Sequence, residues 1–270
     1  MKKINLSEYT SIGVGGSAYG EIVTDFENFR PNGDEIVIGR GTNLLASDFG
    51  TDRRVVIVRS SGVSFSSATV IADGGTPLPL VCRFAAEAGL SGMEWACGIP
   101  GSVGGGVVMN AGAYGGQIAD VLDFVEVLTP FGVVRMRGTE LVFSYRSCRG
   151  LPRGIITKAG FALTGGTRED IEARMRELSA KRKGSQPSGR TFGSTFAKAG
   201  DVSAGELIDR AGLKGLRIGG ARISEKHANF ILTDGGTAAD VRSLIDTVKL
   251  KVYARFGVKL EEEVRYIGEF

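Results

Sequence analysis

A single histidine in 270 residues removes the material for two large classes of site. A Ser-His-Asp triad and a multi-histidine metal centre both need imidazoles that the chain does not have, so no metal site is expected. Cysteine is nearly as scarce. Cys82, Cys97 and Cys148 are odd in number, widely spaced and form no CxxC pair, which argues against structural zinc and for a reducing, cytoplasmic setting. Charge of one sign is also missing. Lys and Arg total 33 against 30 Asp and Glu, and the net of +3 tolerates an anionic ligand but is too small for a nucleic-acid partner. No apolar run approaches the ~20 residues of a membrane helix. The opening MKKINLSEYTS carries two lysines without the apolar stretch of a signal peptide. No pattern speaks to oligomeric state.

Hydrophobic residues make up 42% and charged residues 23%, so a packed core is expected rather than disorder. The chain is long enough for two domains, with room for a small third. Glycine is the residue in excess. Residues 98–116, GIPGSVGGGVVMNAGAYGG, hold eight of the 41 glycines. Glycine loses more backbone entropy on folding than any other residue, so such a run needs a use. It serves either tight turns with positive φ or backbone lying bare against a ligand.

Short β-branched runs at Ile36–Ile38 and Val55–Val58 predict strands on either side of GRGTNLLASD. Thr76 reads as an N-cap with Pro77 at the first helical position. Leu78, Val81, Cys82, Ala85 and Ala88 then share one face, and Gly89 closes the helix. Cys82 is thereby a small buried hydrophobe. VLDFVEVLTP, FGVVRMRG and GIITKAGFALT predict further strands. Thr167 with Asp170 opens a helix that runs into KRKGSQP, the clearest domain boundary. Beyond it, Ser203 with Glu206 and Thr237 with Asp240 start two more helices. The second buries Val241, Leu244, Ile245, Val248, Val252 and Phe256 and ends at Gly257. GGARIS, NFILT and VKLEEEVRYIG read as strands. The class is α+β, strand-rich to residue 183 and smaller beyond.

GRGTNLL follows a strand but lacks the third glycine of GxGxxG, and a strand arrives where a crossover helix belongs, so a Rossmann site is disfavoured. A Walker loop is absent. Both GRGTNLL and the 98–116 run offer backbone N–H groups beside Thr42, Asn43, Ser102 and Asn110, a pattern suited to a pyrophosphate; ordinary turns are the alternative.

Seven motifs then occur in order: GRGTNLL, GIPGSVGG, MNAGAYGG, YR at 145–146, GSTF at 193–196, IGGARISEKHANF at 218–230 and EEEVRYIG at 261–268. Together they resemble the UDP-N-acetylenolpyruvoylglucosamine reductase (UDP-N-acetylmuramate dehydrogenase) family over nearly the whole chain. The resemblance implies a vanillyl-alcohol-oxidase/PCMH-type FAD-binding part, two α+β subdomains at 1–60 and 61–183. A smaller α+β substrate-binding domain follows at 184–258, and a strand at 259–270 returns to the active site. It implies non-covalent FAD, reduced by NADPH, and a UDP-sugar enolpyruvyl ether as substrate in peptidoglycan precursor synthesis. The flavin contacts it implies are Arg40, Gly41, Thr42, Asn43, Leu44, Ile99, Pro100, Gly101, Ser102, Gly105, Asn110, Gly112 and Ala113. Substrate contacts fall on Tyr145, Gln186, Lys198 and His227.

Catalysis, by the same resemblance, falls to Ser194, Arg146 and Glu263. A serine hydroxyl is a weak acid, so it matches only a strongly basic carbon such as one left after hydride reaches the enol ether. Arg146 suits the substrate carboxylate. Glu263 beside that carboxylate would hold its proton and donate to the forming enolate. The plainer readings are a surface charge for Arg146, a solvated or ion-paired glutamate for Glu263, a structural tyrosine at 145 and a loop histidine at 227. Lys181, Arg182, Lys183 and Arg190 suit either a diphosphate or a helix C-terminus. Longer family members carry an inserted segment whose tyrosine covers the substrate. No tyrosine lies between Arg146 and Gly193 here, so the chain resembles the shorter subtype. Phe192 precedes Gly193 where a small residue is commoner, and Lys198 is followed by Ala-Gly rather than Asn-Pro. Two other functions remain: another FAD oxidoreductase of the same fold, or a silent nucleotide-binding module.

Overall fold

The alternating runs at 122–162 build a five-stranded antiparallel sheet, ordered Gly132–Arg137, Leu122–Thr129, Ile155–Ala162, Thr69–Asp73, Val63–Ser66. Gly132–Arg137 lies at one edge and is exposed along almost all its length, whereas Leu122–Thr129 and Ile155–Ala162 are buried on both faces. The computed structural model describes residues 1–270 and resolves them into two units. The sheet unit is Glu21–Arg40 with Arg54–Arg182; the C-terminal unit is Met1–Gly20 and Gly41–Arg53 with Lys183–Phe270.

In the sheet unit, helix α1 (Leu78–Glu87) turns Leu78, Val81, Cys82 and Ala85 onto Val70, Ala72, Val125, Val127, Ala159 and Phe161. Full burial of each large aliphatic side chain contributes about 1.5–3 kcal/mol. Helix α1 begins one residue later than its pattern predicts. Pro77 is the N-cap, and the buried Thr76 hydroxyl donates to Gly62 O at 3.1 Å instead of capping the helix. Burial pushes the Cys82 thiol well above its ordinary pKa, with the nearby Cys97 and Glu94 adding to it, so it is an inert core group. Cys97 and Cys148 also pack on this core. Helix α2 (Val103–Val108) and helix α3 (Arg168–Ser185) complete the unit. Thr167 and Asp170 open α3 as expected, while Gly184 lies inside the helix, which ends before Pro187. Ile36, Val37 and Ile38 pair in parallel with Val55, Val56 and Ile57.

In the C-terminal unit, helices α4 (Ala204–Arg210) and α5 (Ala238–Phe256) pack on a three-stranded sheet of Arg217–Ile218, Ala221–Ile223 and Ile231–Thr233. Ser203 caps α4, accepting from Glu206 N at 3.1 Å, though the Glu206 carboxylate pairs with Arg210 rather than closing a capping box. Thr237 and Asp240 do form the full box on α5, and Gly257 ends it at φ +69°. The α5 stripe meets Leu207, Ile208, Leu45, Val264, Phe192 and Phe196. Asp48 Oδ1 and Oδ2 accept from Ala238 N and Ala239 N, each at 2.9 Å, and this clamps the 41–53 segment onto the α5 N-terminus. The C-terminal strand is shorter than its pattern predicts. Only Arg265–Ile267 is regular, parallel to Leu44–Ala46, because Glu262 is drawn off into a lone bridge with Phe196.

Candidate active site

Three motifs that lie far apart in sequence meet in the C-terminal unit. Asn43 Nδ2 donates to Glu263 O at 3.0 Å, and Asn43 O accepts from Arg265 N at 3.0 Å. Glu263 N in turn donates to Thr195 O at 2.9 Å. Asn43, Ser194–Thr195 and Glu263 are therefore adjacent along one hydrogen-bonded path. The segment carrying Ser194 is anchored at both ends, by Phe192 at 1% exposure and Phe196 at 2%. Phe192, an unusual residue before this glycine, thus serves as a core anchor. Gly193 sits at φ +85°, a conformation side chains rarely adopt, and swings the chain from Phe192 to Ser194. Ser194 bridges Phe230, and Thr195 N donates to Asn229 O at 2.8 Å. Thr195 works through its backbone: its buried Oγ1 is the one such side-chain atom with no partner.

Glu262, the neighbour of Glu263, carries the densest set of carboxylate partners. Lys249, Arg242 and Tyr266 all reach its carboxylate. Burial alone would raise the Glu262 pKa, but the hydrogen bonds from Lys249 and Tyr266 and the two cations outweigh it and hold the group below its ordinary value. The same burial and the Glu262 carboxylate push the Tyr266 hydroxyl up. Lys198 is exposed, Gln186 half-buried, and neither joins the Asn43–Glu263 path. His227 is half-buried. Its Nδ1 accepts from Asn229 N at 3.3 Å and its ring meets Phe230 edge-on at 4.8 Å. Burial lowers its pKa, so it is neutral at pH 7.

In the sheet unit the glycine-rich run resolves residue by residue. Packing demands several of its glycines. A Cβ at Gly116 would stand 2.3 Å from Trp95, one at Gly112 2.8 Å from Gly116 O, and one at Gly98 2.7 Å from Arg182. Gly112–Ala113 and Gly116–Gln117 form a hairpin turned by Tyr114 at φ +54° and Gly115 at φ +90°. Two amides of the run are occupied within the unit: Val103 N and Gly104 N donate to Thr76 O and Gly74 O at 2.9 and 2.7 Å. The loop at 74–76, which sequence reasoning passed over, covers the start of α2. Ser102 is the α2 N-cap, accepting from Gly105 N at 3.4 Å. Gly105 itself is exposed and a Cβ there would meet only Ser102 Oγ, so packing does not demand a glycine at this position. Ile99 is half-buried and Pro100 exposed; Gly101 O accepts from Leu78 N at 3.0 Å.

Asn110, 1% exposed, spends its amide inside the unit, on Gln117, Ser144 O and Ala119 N. Those bonds tie the glycine-rich run to the hairpin of Val142–Ser144 and Ser147–Arg149, whose tip is Tyr145–Arg146. Arg146 Nη2 donates to Gly112 O at 3.1 Å, and its guanidinium lies 4.8 Å from the Tyr145 ring. Tyr145 is 54% exposed, which removes the buried structural reading. Arg146 sits at φ +53°, a left-handed conformation that costs roughly 1–2 kcal/mol in a residue with a Cβ.

Gly39 lies so close to Ser102 that a Cβ would stand 2.1 Å from its Oγ, so the strand leading to exposed Arg40 reaches the 98–116 run within this unit. Arg59, unmarked by any sequence pattern, donates to Gly39 O there. Gly41, at φ +66°, would place a Cβ 1.9 Å from Tyr9 O, and no carbonyl accepts from the amides of Gly41 or Thr42. Leu44 is half-buried. Residues 39–44 and 98–113 contain no carboxylate and one cation, Arg40. As residue chemistry, amides and hydroxyls with one cation and no carboxylate suit the pyrophosphate of FAD.

Two family models match this chain. Residues 32–137 match the family model described as FAD binding domain, and residues 186–267 match that of the UDP-N-acetylenolpyruvoylglucosamine reductase C-terminal domain. The UDP-N-acetylenolpyruvoylglucosamine reductase of Heliobacterium modesticaldum is 46% identical over 242 residues, 87% of this chain and 77% of that one. That of Rubrobacter xylanophilus is 38% identical over 278 residues, 98% of this chain and 94% of the other. The crystal structure of UDP-N-acetylenolpyruvylglucosamine reductase from Thermus caldophilus superposes with a TM-score of 0.87 at 37% identity, covering 99% and 98% of the two chains. The α+β fold with its FAD-binding part, the ordered motifs and these full-length likenesses carry one conclusion: the chain belongs to the UDP-N-acetylenolpyruvoylglucosamine reductase family.

Proposed function

We propose that this chain reduces the enolpyruvyl ether of UDP-N-acetylglucosamine enolpyruvate to UDP-N-acetylmuramate with NADPH and bound FAD, in peptidoglycan precursor synthesis. The observation that carries the reading is the path Asn43–Glu263–Thr195, which sets Ser194 beside a glutamate 69 positions away in the chain. A nucleotide-binding module has no need of such a pairing.

The backbones of Gly41–Leu44 and of residues 98–113 would each contribute to holding FAD, which when bound would supply the two electrons taken from NADPH. Ser194 then gives its hydroxyl proton to the substrate carbon that bears the carboxylate. The acid is weak, but that carbon is strongly basic once its neighbour has been reduced, so donor and acceptor match. Arg146 holds the substrate carboxylate, and its guanidinium stabilises the charge that spreads onto it. Glu263 donates a hydrogen bond to the same developing charge. Tyr145, Gln186, Lys198 and His227 line the sugar-nucleotide in this reading. Residues 1–60 and 61–183 act as the FAD-binding subdomains, 184–258 binds substrate, and 259–270 returns Glu263 to the site. Three free cysteines accord with a reducing compartment, and the proposal places the enzyme in the cytoplasm. No helix is long and apolar enough to cross a membrane.

The test separates the half-reactions of Ser194→Ala. Anaerobic bleaching of the flavin by NADPH is expected at the wild-type rate, and recovery of absorbance on adding the enolpyruvyl substrate is expected to slow by orders of magnitude. Normal recovery in that variant would remove Ser194 from the mechanism.

A further inference from the structure

The segment that carries Ser194 is extended chain held by two isolated bridges, with an incomplete neighbour on one side. On one side Thr195 O and Ala197 N pair with Glu263 N and Glu261 O, both at 2.9 Å. On the other side Thr195 N reaches Asn229 O, and there the neighbouring backbone turns away, as Phe230 N folds back onto His227 O at 3.0 Å. Phe196 is then buried with an N–H and a C=O that have no strand to meet. Leaving two such buried groups unpaired would be costly.

The Asn229 side chain fills the gap. Its Oδ1 accepts from Phe196 N at 3.0 Å and its Nδ2 donates to Phe196 O at 2.8 Å. A primary amide presents one acceptor and one donor at peptide-like spacing, so it substitutes for the missing strand residue. Asn229 is itself 7% exposed, and its N–H is seated on His227 Nδ1. The His227 loop is pinned in turn by Ser224 Oγ, which accepts from Lys226 N and His227 N at 3.1 and 3.2 Å.

We propose that Asn229 is a positioning residue for Ser194, a role that rests on the reading of Ser194 as proton donor. By completing the ladder at Phe196 it holds the serine in register with Glu263. A displacement of about 1 Å at a proton donor is enough to cost ~10²-fold in rate. Asn229 lies in the motif at 218–230, but the motif by itself gives it no role toward Ser194.

The test uses Asn229→Asp, which keeps the acceptor but sets a carboxylate oxygen against Phe196 O, and Asn229→Ser, which removes both bonds at lower volume. Rates are normalised to bound flavin, so only folded protein counts. Flavin reduction by NADPH and substrate KM are expected to stay within about twofold, while reoxidation by substrate slows ~10–100-fold. The double variant S194A/N229D is expected to be no slower than S194A alone. Without cofactor, hydrogen exchange in the 193–197 segment is expected to quicken in both Asn229 variants. Wild-type reoxidation in N229D and N229S, or losses that multiply with S194A, would overturn the role of Asn229. Normal turnover in S194A alone would instead overturn the reading of Ser194.

Discussion

The side chain of Asn43 holds the backbone of Glu263. The Asn43 amide donates to the Glu263 carbonyl at 3.0 Å, and two residues later Arg265 N returns to Asn43 O at the same distance. The loop proposed to face the flavin and the acid proposed to face the substrate are thus set by one pair of bonds. Asn43→Asp replaces the donor with an oxygen facing that carbonyl. It is expected to cost about 1–2 kcal/mol and to lower kcat. Thermal melting and steady-state kinetics check it; an unchanged kcat would mean that Glu263 is held without Asn43.

Arg146 pairs chemistry with strain. Glycine accommodates φ +53° without penalty, so Arg146→Gly is expected to remain within about 1 kcal/mol of wild-type stability despite losing the bond to Gly112 O. Turnover is expected to fall by more than ~100-fold, since the carboxylate loses its bidentate partner. Chemical denaturation read against kcat/KM tests this. Full activity in the glycine variant would leave Arg146 as a surface charge.

Glu262 supplies a pH signature. Its folded pKa lies below its ordinary value, so the network with Lys249, Arg242 and Tyr266 stabilises the protein above the ordinary glutamate range, and the contribution disappears as pH falls through the lowered pKa. Glu262→Gln is expected to be about 2 kcal/mol less stable near neutral pH, with the gap closing in acid. Melting both proteins from pH 7 to pH 3 follows it. A gap that persists unchanged into acid would show that the carboxylate charge is not what matters.

Asp48 is the clamp on the inserted segment. Asp48→Ala strips both amides at the start of α5 of their acceptor and is expected to cost about 1–2 kcal/mol. Because Asp48 follows Asn43 by five residues, weaker retention of FAD is expected as well, measured by flavin absorbance after dialysis. Wild-type flavin content and melting together would show that residues 41–53 are seated by packing alone.

Local rules were legible wherever a side chain meets its own neighbours in sequence. The α5 stripe from Val241 to Val252, the Thr237–Asp240 box, Gly257 at the helix end and the burial of Cys82 all follow from spacing of 3.6 and from caps that act over three residues. Thr76 was one exception, since its hydroxyl found Gly62 O, a partner 14 residues away that no local pattern encodes.

What the sequence determined by itself is therefore its periodicities, its turns and the ordered motifs that place it in a family, because each of these is read over a few residues or by likeness. Tertiary structure alone decided which glycines packing demands, that Glu262 is held by Lys249, Arg242 and Tyr266, and that the Asn229 side chain completes the hydrogen bonding of Phe196. Those outcomes depend on pairing partners brought from 13 to 220 positions away, Glu262 with Lys249 and Asn43 with Glu263. Hydrogen-bond satisfaction in a buried strand is a property of the assembled neighbours, and no window along the chain contains them.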